Sequence, residues 1–219
     1  MIQLNDVSKI GLGTWQFGKH FWGDVKDKES IVILPEAITA GMKLVDTAPV
    51  YGDGHSETIV GQALKGIREK VFLATKCGLT HTKDGFFHNL SPASLEKEIY
   101  DSLERLNVDM IDLYQIHWPT TKNETDIALK TLLRFKKKGL IKHIGLCNMD
   151  LQGLKDLELS EHVESLQIHF SLLDGDEKKE LINYCNDHNI LTITYGTFQG
   201  GLLLDKFNSP DDIPKKSAK

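Results

Sequence analysis

Val45-Asp46-Thr47-Ala48-Pro49-Val50-Tyr51-Gly52 is the stretch on which the fold turns. An apolar run, Leu44–Thr47, carries an aspartate at its end, and a short loop swings a tyrosine back over the same end. The pattern then repeats along the chain. Val71–Thr75 leads into Lys76, Ile111–His117 ends on a histidine followed by Trp118-Pro119, His143–Cys147 leads into Asn148, and Leu191–Tyr195 ends on a tyrosine. Ile10–Gly13 and Ser165–His169 complete seven candidate strands. Their near-continuous apolarity suits parallel strands covered on both faces. Polar residues at the C-terminal ends of many different strands predict a (β/α)8 barrel of the TIM type, because in that fold all those ends meet at one mouth. The rival, an open doubly wound sheet, would place a G-x-G-x-x-G after the first strand. Gly11-Leu12-Gly13 has no glycine at the third place.

Helical periodicity fills the intervals. Ile59, Val60, Ala63, Leu64 and Ile67 form one stripe. Leu95, Ile99, Leu103 and Leu106 form another, opened by Ser91 as N-cap with Pro92 at the first helical position. Ala128, Thr131, Leu132 and Phe135 make a third, closed by Lys136–Lys138 and Gly139. Leu181, Ile182 and Cys185 make a fourth. Pro35 interrupts the first helix pattern, so that helix is expected to start near it. The segment 78–90, with Phe86 and Phe87, reads as a mouth loop that sets specificity. A polar tail follows from Asp211 to Lys216. Seven strand–helix units predict one barrel domain over residues 1–219, incomplete at its C-terminus.

Composition narrows the function classes. The 219 residues are 40% apolar and 26% charged, ordinary values for a soluble globular protein. A net charge of −5 disfavours nucleic acid or an anionic membrane as partner. No apolar run approaches the roughly 20 residues of a membrane span. Cys77, Cys147 and Cys185 are too scattered for a disulfide framework or a zinc site, which points to a reducing, cytoplasmic home. His81, His88, Asp84 and Glu57 have no metal-ligand spacing, so no metal is expected. The pattern carries no signal for oligomeric state.

Asp46, Tyr51, Lys76 and His117 would face one cavity, and the chemistry they suit is carbonyl reduction. Hydride added to a carbonyl carbon leaves charge on oxygen, which needs a proton donor within hydrogen-bond reach. A free phenol is too weak an acid at neutral pH, and a neighbouring ammonium lowers its pKa. Lys76 supplies that charge, Asp46 holds Lys76, and His117 donates to the substrate oxygen. Taken singly, each has a plainer reading: a structural ion pair for Asp46 and Lys76, a packed turn for Tyr51, a satisfied buried histidine for His117, a helix cap for Asn148.

The chain resembles the aldo-keto reductase superfamily over essentially its whole length. The resemblance rests on Ile10 to Trp15, Asp46-Thr47-Ala48, Tyr51-Gly52, Gly54-His55-Ser56-Glu57 and Ala74-Thr75-Lys76. It extends through Ser102-Leu103, Arg105-Leu106, Asp109 to Pro119, Ile144 to Asn148, and Gln167. It implies an NADPH-dependent reductase of a small aldehyde or ketone, with NADH not excluded. In that pattern Tyr51 is the acid, Lys76 and Asp46 its partners, and His117 the substrate orienter. Asn148 and Gln167 hydrogen-bond the nicotinamide carboxamide, and Cys147 stands where serine is frequent. Phe170 takes the place of a stacking tyrosine and keeps an aromatic face. Tyr195, Gly196, Thr197, Gly200 and Leu202 belong to a loop over the pyrophosphate, and Gly13, Thr14 and Trp15 to the cofactor side of the first strand. Trp15, Trp118 and Phe86 wall the substrate pocket. The same barrel also supports a cofactor-binding regulatory or interaction protein, and an inactive fragment is a third reading. The intact quartet favours the enzyme.

Overall fold

In the computed structural model, residues 4–19, 22–175 and 178–205 are described, together with 209 and 212. The polar tail expected from 211 to 216 lies outside the described residues, apart from residue 212. Seven parallel strands form one sheet: β1 (Leu12–Gly13), β2 (Leu44–Asp46), β3 (Phe72–Cys77), β6 (Ile111–Ile116), β7 (Ile141–Cys147), β8 (Ser165–His169) and β9 (Leu191–Tyr195). Their spatial order follows the chain order without reversal. A doubly wound sheet reverses direction at a switch point. The observed order is that of a (β/α) barrel, with β1 and β9 at the two edges among the described strands.

Between the strands lie α1 (Asp27–Thr39), α2 (His55–Ala63), α3 (Pro92–Leu106), α4 (Lys122–Lys137), α5 (Leu151–Asp156) and α6 (Lys179–Asp187). The cap at α3 is as read from sequence: Ser91 accepts from the Ser94 N–H, with Pro92 in the first turn. Thr121 does the same for α4. Three expectations need correction. The helix α1 does not begin at Pro35 but carries it inside. Ser30 and Leu34, both buried, anchor that turn, and packing outweighs the hydrogen bond that proline removes. The first strand is only Leu12–Gly13, since Ile10 is exposed and unsupported by a neighbour strand. The segment 78–90 is no irregular loop but an antiparallel hairpin, β4 (Leu79–Thr82) with β5 (Gly85–His88). Alternating Thr, His and Phe in a short polar stretch masked its period of two.

The sheet has two faces, and strand alternation assigns every site residue to one of them. One face packs on the helices through a large core that includes Val60, Leu73, Leu95, Ile99, Leu132, Ile144 and Leu166. Leu44, Phe72, Ala74, Leu113 and Ile193 form a smaller apolar cluster on the other face, inside the curve of the sheet. Moving two residues along each strand on that inner face reaches Asp46, Lys76, Gln115 and Tyr195. The apolar cluster is thus the floor of the site, and the polar strand ends are its rim.

Candidate active site

Lys76 is the centre of the rim. Its Nζ donates to Asp46 Oδ1 at 2.9 Å, to Asp46 Oδ2 at 2.8 Å, to the Thr47 backbone oxygen at 2.9 Å and to the Tyr51 hydroxyl at 3.2 Å. Lys76 is 2% exposed and Asp46 9% exposed, so this ion pair is almost free of solvent screening. Burial would lower the lysine pKa, but the Asp46 carboxylate beside it prevails and holds it well above the ordinary value. Lys76 is therefore an ammonium at any physiological pH.

Tyr51 reaches this ammonium because its loop is braced on the side away from the lysine. Gly18 and Gly52 touch through their backbones. A Cβ on Gly18 would lie 2.6 Å from the Tyr51 carbonyl carbon, and one on Gly52, whose φ is +67°, would lie 2.4 Å from the Gly18 oxygen. Only glycines permit that approach. Below the loop, Glu57 is fully buried and accepts from Thr75 Oγ1 at 2.6 Å and Arg105 Nε at 2.7 Å. No local sequence signal marks this brace, although Glu57 and Arg105 both stand in the motifs that carry the resemblance.

One expectation about Tyr51 is reversed. The ammonium was expected to make the phenol more acidic, yet burial pushes its pKa up to about 12, against the pull of Lys76 and with Asp46 adding to the rise. Desolvation of the phenolate is the larger effect. At neutral pH Tyr51 is therefore a protonated phenol.

His117 completes the cluster. Its ring meets the Tyr51 ring edge-on at 5.9 Å, and its N–H donates to the Cys77 oxygen at 2.9 Å, which extends the β3–β6 ladder to the rim. Burial, Lys76 and His88 hold its pKa well below the ordinary histidine value, so the imidazole is neutral and keeps one N–H to donate. His88 comes from the hairpin, and His81 on the same hairpin pairs with Asp53 in the Tyr51 loop at 3.2 Å. Phe86, half exposed, lies 4.9 Å from the His81 ring. Trp15 lies 6.1 Å from Tyr51 and 5.3 Å from Trp22, and Trp118 is exposed beside His117.

The remaining predicted residues follow β1 and β7 to β9. Asn148 Nδ2 donates to the His117 oxygen at 3.1 Å, and Asn148 Oδ1 accepts from Tyr195 at 2.7 Å. The helix-cap alternative fails, because Asp150 caps α5. Gln167 is buried, with Oε1 accepting from Cys147 Sγ at 3.3 Å and Gln115 Nε2 at 3.4 Å. Thr14 is fully buried, its hydroxyl engaged with the Asp46 oxygen and with Ser56, which also bonds Thr47. Gly13 is solvent-exposed. Phe170 donates its N–H to the Tyr195 oxygen, and its ring lies against Gly175. Gly196 stands at φ +69°, where a Cβ would strike the His169 imidazole at 2.4 Å, and Thr197, Gly200 and Leu202 follow on an exposed segment. The links from Tyr195 to Asn148 and from Cys147 and Gln115 to Gln167 carry no sequence signal, since they join residues on different strands. Among the described residues no group of histidine, cysteine and acidic side chains could hold a metal, and no helix is long and apolar enough to cross a membrane.

Comparison with known proteins finds relatives over most of the chain. The sequence profile of the Aldo/keto reductase family matches residues 9–219. The NADH-specific methylglyoxal reductase of Escherichia coli (strain K12) is 37% identical over 213 residues, covering 90% of this chain and 65% of the relative. Among solved structures, the glycerol dehydrogenase AKR11B4 from Gluconobacter oxydans superposes with a TM-score of 0.85 at 35% identity, over 95% of this chain and 65% of that one. An aldo/keto reductase from Klebsiella pneumoniae in complex with NADP and acetate superposes with a TM-score of 0.79 at 27% identity, over 91% and 68%. The chain spans 61–65% of the length of curated relatives that it matches. A profile match over residues 9–219, joined to close superposition on solved relatives, means that this chain belongs to the aldo-keto reductase family.

Proposed function

We propose that the protein reduces a small aldehyde or ketone, reversibly, at the expense of NADPH, with NADH as the alternative donor. The observation that carries this reading is the contact of a buried, carboxylate-held ammonium with a phenol at 3.2 Å. When bound, the dihydronicotinamide supplies a hydride to the carbonyl carbon. Tyr51 gives its proton to the carbonyl oxygen, and Lys76 compensates the phenolate that remains. Asp46 keeps Lys76 charged and in place. Neutral His117 donates a hydrogen bond to the same carbonyl oxygen and orients it. Trp15, Trp118 and Phe86 wall the substrate side.

The residues present fit a nicotinamide dinucleotide. The Asn148 amide keeps one hydrogen uncommitted after its bond to His117, and the Gln167 amide stands three strands from Lys76 along the rim. These two would hold the carboxamide, with Phe170 offering an aromatic face. The turns at Gly196 and Gly200, both at positive φ, would present backbone amides to phosphate oxygens. Gly13 at the end of β1 and Trp15 just beyond it would border the cofactor, with buried Thr14 supporting them from beneath. The Klebsiella relative holds NADP and the Escherichia coli relative is NADH-specific, so both donors enter the test. Three buried, unpaired cysteines fit a reducing, cytoplasmic compartment.

The test is oxidation of NADPH and of NADH with nitrobenzaldehyde, followed by absorbance. Tyr51→Phe is expected to lower kcat about 10³-fold while changing dinucleotide affinity less than about twofold. Turnover that survives this change would remove Tyr51 from the acid role.

A further inference from the structure

The Asn148 side chain has a polarity dictated by its neighbours. It faces the His117 backbone oxygen on one side and the Tyr195 hydroxyl on the other. A carbonyl oxygen only accepts, so the atom beside it is the amide NH2. Oδ1 then faces Tyr195, whose hydroxyl must donate. Turning the amide over would place oxygen against oxygen at His117 and lose that bond. Asn148 is also fixed through its backbone: it stands at φ +56°, and its N–H donates to the Gln167 oxygen at 2.8 Å. The Tyr195 ring is steadied in turn by the His169 ring, edge-on at 5.3 Å, and His169 is held by Asp174 at 2.6 Å.

We infer that Tyr195 is a positioning residue for the nicotinamide: by donating to Asn148 Oδ1, its hydroxyl aims the second Nδ2 hydrogen of Asn148 at the carboxamide oxygen. This rests on the reductase reading above and assigns Tyr195 a part distinct from the pyrophosphate loop in which the sequence placed it. The bridge runs from β9 through β7 to the backbone of His117 on β6. It therefore couples the seat of the cofactor ring to the residue that orients the carbonyl. Without the hydroxyl, Asn148 Oδ1 loses its donor and the amide samples other rotamers, which weakens the cofactor contact.

The experiment is a double-mutant cycle on dinucleotide affinity, read from quenching of tryptophan fluorescence by NADPH and by NADH. Tyr195→Phe removes only the hydroxyl and is expected to raise Kd about fivefold to tenfold in the otherwise unaltered protein. In an Asn148→Ala background the same change is expected to raise Kd less than about twofold, because the residue it positions is gone. A melting temperature of Tyr195→Phe equal to that of the unaltered protein excludes general loosening as the cause. An equal loss in both backgrounds, or no loss in either, overturns the inference alone. An unaltered protein that binds neither dinucleotide overturns the reductase reading and this inference with it.

Discussion

Around the ends of β2, β3 and β6, the structure gathers a buried ammonium and carboxylate with a half-buried phenol and imidazole in one contacting cluster. The ends of β7, β8 and β9 carry neutral amides, a thiol, a second phenol and exposed turns at positive φ. The two halves of the same rim thus obey different rules. In the first half every charge is compensated by a specific neighbour, so removing one partner strands another in a dry site. In the second half, groups are held by neutral hydrogen bonds, and losing one loosens a position without leaving an unpaired charge. In the proposed reaction the first half would move the proton and the second would hold the nicotinamide.

The hardest blow to that comparison would come from Lys76→Met. It is expected to destabilise the protein by about 3–5 kcal/mol, because it leaves the Asp46 carboxylate buried without its partner. Adding Asp46→Asn is expected to recover much of this stability without recovering turnover. Urea melts of the single and double variants measure the first effect, and carbonyl reduction the second. If the single variant is as stable as the parent, the first half is no more dependent on its charges than the second.

Gly18→Ala tests positioning without touching a charged group. Its methyl would meet the backbone of Tyr51 and Gly52, pushing the phenol off the ammonium. Displacement by about 1 Å is expected to lower kcat about 10²-fold. Dinucleotide Kd should hold, since the second half is not disturbed; a Kd that rises in step with the fall in kcat would show that the halves are mechanically one.

The smallest effects concern protons. His117 is neutral in the folded protein because burial, with Lys76 and His88 beside it, depresses its pKa. Reduction should show no break near pH 6.5, the ordinary histidine value. The unfolded chain takes up that proton first, so the depressed group contributes stability present above about pH 6.5 and lost as pH falls toward its folded value. A second loss follows at Glu164. Burial would raise its pKa, but bonds from His143, Lys136 and the Ile144 N–H outweigh this and hold it at about 2, below its ordinary 4.5. Its contribution is present above that ordinary value and fades as pH falls toward about 2. Melting temperatures across this range are expected to fall in acid and stay level above neutrality.

The charged half was legible in the sequence and the neutral half only partly so. Asp46, Lys76 and His117 stand out because charge at the end of an apolar strand has few reasons to be there. Asn148 stood in the strand-end pattern, but its role, and Gln167 altogether, could be named only by family resemblance, since a neutral amide at a strand end looks like any cap or turn. The hairpin Leu79–Thr82 with Gly85–His88 was missed because its alternation is short and polar. The brace of Glu57 on Arg105 and Thr75 was missed because no local rule links residues 48 positions apart.

By itself the sequence determined the order of the parallel strands, the identity of the titratable quartet and the family, because periodicity, strand-end polarity and motif spacing are local properties of the chain. Only the tertiary structure decided the protonation of Tyr51, the orientation of the Asn148 amide and the contact between Gly18 and Gly52. Each of these depends on how much water a group loses and which atoms from distant segments take its place, and that is set when the sheet curls and brings its strand ends together.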